Sequence, residues 1–86
     1  MYAIFYSRQA IKDKNSLEGS SLYEKAKALV CILKQNPFQT PPPYEKLQGD
    51  LKGLYSRRIN RKHRMWYSVD ANTKVVRIIR MWTHYE

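Results

Sequence analysis

The chain has 86 residues, 43% of them hydrophobic, with a net charge of +9, two histidines and one cysteine. That length supports one domain with one modest core. The lone Cys31 excludes an intrachain disulfide framework, and no apolar run approaches the roughly 20 residues of a membrane span. The apolar start MYAIFY is too short for a secretory signal and lacks a basic flank, so a reducing cytoplasm without membrane attachment is expected.

In chain order, Met1–Tyr6 reads as a buried first strand, and Ser7 is placed to cap a helix over Arg8–Leu17 whose apolar side is Ala10, Ile11 and Leu17. After the turn EGSS, Leu22, Ala26, Leu29, Val30 and Leu33 recur at helical spacing. Ser21 and Glu24 have the spacing of a capping box at the start of that second helix. Asn36-Pro37 ends it, because proline disfavours the helical conformation of its predecessor. Cys31, in ALVCIL, is expected to pack in the core as a neutral thiol. Two helices joined by a tight turn suggest an antiparallel hairpin.

Pro37–Asp50 holds all four prolines and reads as a stiff, extended connector that presents Glu45 near the next strand. Three strands follow, at Leu54–Asn60, His63–Asp70 and Lys74–Trp82. In the middle one, alternation puts His63, Met65, Tyr67 and Val69 on the core face and Arg64, Trp66 and Ser68 on the other. The order β-α-α-β-β-β predicts an α+β fold, with two helices on one face of a mostly antiparallel sheet.

Charge is the sequence's strongest signal. Arg57, Arg58, Arg61, Lys62 and Arg64 fall within eight consecutive residues, and no acid lies between Asp50 and Asp70. Such a cluster favours a polyanionic partner, nucleic acid first. Two histidines 21 positions apart and one distant cysteine match no zinc spacing, and the three glycines are isolated, so neither a metal site nor a phosphate loop is expected. A carboxylate, several guanidinium groups and a histidine can supply the base, the phosphate clamp and the acid of RNA cleavage by the 2′-hydroxyl. Composition alone is equally compatible with an RNA-binding module that does not cut, or with a subunit whose basic face receives an acidic protein.

More specific is PPYEKLQGDLKGLYSRRINRKHRMWYSV followed by MWTHYE, together with the NPF that precedes them. These segments resemble the YoeB/Txe family of bacterial toxins within the RelE superfamily, over about residues 36–85. The resemblance implies a compact sheet with two helices on one side, no cofactor, and an mRNA endonuclease that acts on the 70S ribosome. It implies that Glu45 is the general base, Arg64 the phosphate-binding arginine and His84 the general acid, with Tyr85 organising the site or stacking on a base. Arg58 is then a second phosphate contact, and Lys46, Arg57, Arg61 and Lys62 are general RNA contacts, while His63 and Trp82 are structural. The partners implied are a YefM/Axe-like antitoxin, a second toxin copy, and promoter DNA reached only through the antitoxin. Gln48 stands where relatives often carry lysine, Lys62 where some carry an acid, and Glu86 extends past the usual final HY.

Overall fold

The structure is a computed structural model that describes residues 1–84, with side chains as far as Met81. The chain runs β1 (Ala3–Tyr6), α1 (Arg8–Leu17), α2 (Ser21–Gln35), β2 (Glu45–Lys46), a 3-10 turn at Gly49–Leu51, β3 (Tyr55–Arg58), β4 (His63–Asp70) and β5 (Val75–His84). The strands form one sheet in the order β1-β5-β4-β3-β2. β1 pairs parallel with β5, and every other pairing is antiparallel. The expected α+β layering is present, with one addition: β2, two residues long, lies inside the proline-rich connector.

The core joins Ala10 and Leu17 of α1, Ala26, Leu29, Val30 and Leu33 of α2, Met65 and Tyr67 of β4, and Val76, Ile78 and Met81 of β5. The periodicity of α2 and the alternation of β4 therefore pointed the right way. Four local expectations are corrected, the last of them in α1. Cys31 is exposed, because the stripe set by residues 26, 29, 30 and 33 leaves position 31 on the flank of a 3.6-residue helix. β1 is not buried on both faces: Phe5 is 51% exposed, since an edge strand packs only the face carrying Ile4 and Tyr6 against the core. The capping box does not form. Ser20 is the N-cap of α2, and its Oγ donates to Leu17 O at 2.7 Å across the tight interhelical turn.

Ser7 does cap α1, accepting from Ala10 N at 3.0 Å. Its hydroxyl also donates to Ile79 O at 2.7 Å, which ties the helix start to β5. That strand is irregular. Arg64, Trp66 and Tyr67 of β4 pair with Thr83, Arg80 and Ile78, so β5 carries an extra residue on each side of Arg80. Bulges leave ladder groups unpaired, and α1 satisfies them. Ser7 takes the Ile79 carbonyl, and Asp13 accepts from Met81 N at 3.1 Å. Ile11, expected on the inner side of α1, is 49% exposed, while Asp13 is buried.

Asp13 also accepts from Arg80 Nε at 2.8 Å and from Gln9 Nε2 at 3.0 Å. Burial pushes its carboxyl up, but the hydrogen bonds from Arg80, Gln9 and Met81 outweigh burial and hold it below the ordinary aspartate value. A depressed pKa contributes stability above the unfolded-state value and loses it as the pH falls through the folded one. Asp13→Asn is therefore expected to lower the unfolding free energy by about 2 kcal/mol at neutral pH, a charged contact discounted for the half-open Arg80. The gap between variant and wild type should close in urea titrations as the pH drops below the aspartate range.

Candidate RNA-cleavage site

Glu45 is held from behind by a buried arginine. Arg57 has no exposed surface, and its guanidinium donates to three carbonyls of the connector. These are Pro42 O at 2.7 Å from Nη1, and Pro37 O and Gln39 O, each at 2.9 Å, from Nη2. Nε donates to Tyr67 Oη at 3.0 Å. The guanidinium also lies 5.0 Å from the centroid of the Tyr44 ring, next to Glu45. Tyr55 stacks on Tyr67 and meets Phe38 and Tyr44 edge-on, with centroids 5.7 Å apart in each pair. Burial raises the Tyr67 phenol above its ordinary range, against the opposing pull of Arg57, so it stays a neutral hydroxyl. The expectation that Arg57 contacts RNA is thus corrected: its donors are spent on the connector that leads into β2.

From this base the register builds one face of the sheet. Glu45 stands opposite Ser56, Ser56 opposite Trp66, and Arg58 opposite Arg64. Directly paired residues project to the same side, so Glu45, Ser56, Arg58 and Arg64 converge. They line a cleft of about 530 Å³ with Ile59, Asn60, Arg61, residues 42–44 of the connector and Lys25 of α2. Asn60 shapes its rim, where Oδ1 accepts from the backbone N–H of Lys62 and His63 at 2.9 and 2.8 Å. His63 is buried, its Nδ1 3.0 Å from the same oxygen, as suits a structural residue.

Within the cleft, Arg64 Nη1 lies 3.4 Å from Glu45 Oε1, with the Arg64 side chain 9% exposed and that of Glu45 62% exposed. The contact is long for a charged hydrogen bond. A buried cation at the floor and an open carboxylate at the lip can therefore exchange partners when an anion arrives. The irregular β5 returns to the same place. Thr83 pairs with Arg64 and His84 with His63, so the backbone of His84 runs one position from the partner of Arg64. Its side chain and all of Tyr85 lie outside the described residues.

Of the other expected contacts, Arg58 and Arg61 are exposed and line the cleft. Lys46 and Lys62 are exposed but do not line it. Lys46 pairs with Tyr55 and so takes the other face of β2. Lys25 and Ser56 were not anticipated. Nothing in the helical periodicity of α2 marks Lys25, whereas Ser56 is two positions from Arg58 and strand alternation could have found it.

A family model described as YoeB-like toxin of bacterial type II toxin-antitoxin system matches residues 6–85. A search of curated proteins returns no match. Among solved structures, the YoeB/ParE toxin from Agrobacterium tumefaciens superposes with a TM-score of 0.86 at 27% identity, covering 96% of this chain and 99% of that one. YoeB in a heterotetrameric YoeB-YefM complex from Staphylococcus aureus gives 0.81 at 32% identity, covering 99% of both chains. A YoeB dimer from the same organism gives 0.82 at 31%, covering 98% of both. With a family match over nearly its whole length and this fold shared at such identity, the chain belongs to the YoeB-like toxins of bacterial type II toxin-antitoxin systems.

Proposed function

We propose that this toxin is an endoribonuclease that cuts mRNA in the ribosomal A site, with the Glu45–Arg64 pair at the centre of the cationic cleft as the observation that carries the reading. Glu45 removes the proton of a ribose 2′-hydroxyl. The freed oxygen attacks the adjacent phosphorus, and Arg64, turned from Glu45 to the phosphate, balances the charge that builds there. His84 protonates the departing 5′-oxygen, and Tyr85 orders the base or ribose beside it. The products are a 2′,3′-cyclic phosphate and a 5′-hydroxyl, and no step requires a metal ion. Arg58 and Arg61 take flanking phosphates, which displaces counterions and makes binding weaken with salt.

The relatives suggest the partners. The Staphylococcus aureus toxin is found both with YefM and as a dimer, and this toxin is proposed to bind a YefM/Axe-like antitoxin that covers the cleft, and to dimerise. Promoter DNA would be reached through the antitoxin. The site of action is the cytoplasm; among the described residues no helix is long and apolar enough to cross a membrane.

The test is primer extension on mRNA from cells producing the toxin, repeated on purified programmed ribosomes. New 5′ ends within the A-site codon are expected. Translation arrest without new ends would replace the nuclease with a ribosome-binding inhibitor that does not cut.

A further inference from the structure

Ser56 occupies the middle of the ladder that forms the cleft, with Glu45 opposite on one side and Trp66 on the other. Arg64, two residues from Trp66, is its diagonal neighbour on the same face. Ser56 is 1% exposed. Its Oγ is buried and has no hydrogen-bond partner among the described residues. Buried hydroxyls are nearly always paired, and an unpaired one is a cost to folding that calls for a reason. Directly opposite side chains start from Cβ atoms about 4.5–5.5 Å apart, so the Glu45 carboxylate is within a rotamer change of Ser56 Oγ. In the resting state that carboxylate is drawn instead to Arg64, at 3.4 Å.

We propose that Ser56 is the positioning residue for Glu45, an inference that rests on the nuclease reading. When a phosphodiester takes the Arg64 guanidinium, Glu45 loses its partner and accepts a hydrogen bond from the Ser56 hydroxyl. The proton stays on Oγ; only partners change. The resting cleft leaves the Ser56 hydroxyl without a hydrogen-bond partner among the described residues, and the occupied cleft supplies one. The carboxylate is thereby fixed at the side of the cleft where the 2′-hydroxyl must sit, through a charge-assisted bond stronger than a neutral one.

Ser56→Ala and Ser56→Thr test this beside the wild type, with three readouts: unfolding midpoint, affinity for programmed ribosomes, and single-turnover cleavage. Ser56→Ala should unfold at the same midpoint or a higher one, since it deletes an unpaired hydroxyl. Its ribosome affinity should stay within about twofold, while cleavage slows about 10–100-fold, the usual worth of a hydrogen bond to a charged group. Ser56→Thr, which keeps the hydroxyl, should recover most of the rate; if its extra methyl prevents folding, the alanine variant decides. Wild-type cleavage by Ser56→Ala overturns the positioning role, and so does a slower rate accompanied by a matching fall in midpoint. A wild type that binds ribosomes without cutting overturns the nuclease reading, and the Ser56 role with it.

Discussion

Single-turnover cleavage on programmed ribosomes is expected to fall about 10²–10⁴-fold in Glu45→Ala and in His84→Ala, the range for loss of a general base or acid. Both proteins should unfold near the wild-type midpoint. The Glu45 side chain is 62% exposed and meets Arg64 through a 3.4 Å contact, the kind of open ion pair worth about 0–1 kcal/mol. Stability and rate should therefore separate cleanly at this position. Arg64→Ala would be harder to interpret, because the side chain is 9% exposed and its removal also empties part of the cleft floor. Arg64→Lys keeps the charge but loses the planar fork that grips a phosphate through two bonds. Cleavage at the wild-type rate in either alanine variant would remove that residue from the mechanism.

Arg57→Met is expected to lose about 3–5 kcal/mol of stability, the sum over several acceptors that lose a donor at about 1–3 kcal/mol for each one left buried and unsatisfied. The side chain is fully buried, and its loss takes a donor from Gln39 O and Pro42 O and leaves Pro37 O and Tyr67 Oη only their own 3.4 Å hydrogen bond. Arg57→Lys should recover only part, since a single ammonium cannot face three separated carbonyls and a phenol in fixed directions. Urea denaturation measures both. Cleavage by whatever fraction remains folded should also fall, because the connector held by Arg57 runs directly into Glu45. Were Arg57 an RNA contact, the methionine variant would keep its stability and lose only ribosome affinity.

The contrast between Arg57 and Arg58 shows how far the sequence could be read. In SRRI the two arginines look equivalent. On a strand they take opposite faces, and one is buried against Met65 and Tyr67 while the other opens into the cleft. Alternation resolved β4 correctly and, applied to β3, would have grouped Arg57 with Tyr55 rather than with the RNA contacts. The helices were legible because 3.6-residue periodicity is local. The exposure of Phe5 was not, because it depends on β1 lying at the sheet's edge beside a strand some 70 residues later. β2 spans two residues, too few for any pattern. At the site, Glu45, Arg64 and His84 came from resemblance to a family. Spacing alone could not have shown that 19 residues of chain bring Glu45 within 3.4 Å of Arg64. Asp13 was invisible for a related reason: two of its partners, the Arg80 side chain and the Met81 backbone N–H, lie at a bulge whose position no sequence pattern announces.

The two walls of the cleft are anchored very differently. Arg64 belongs to an eight-residue strand flanked on both sides, whereas Glu45 sits on a two-residue strand at the sheet's margin. Local opening costs least where few ladder bonds hold the chain. Beyond the Arg57 anchor at Pro42, the two-residue stretch carrying the carboxylate can therefore shift while the wall carrying the guanidinium stays put. Under the proposed nuclease reading, an incoming polynucleotide would need only one such shift to enter, and an inhibitor that pinned it would block cleavage without touching the cations.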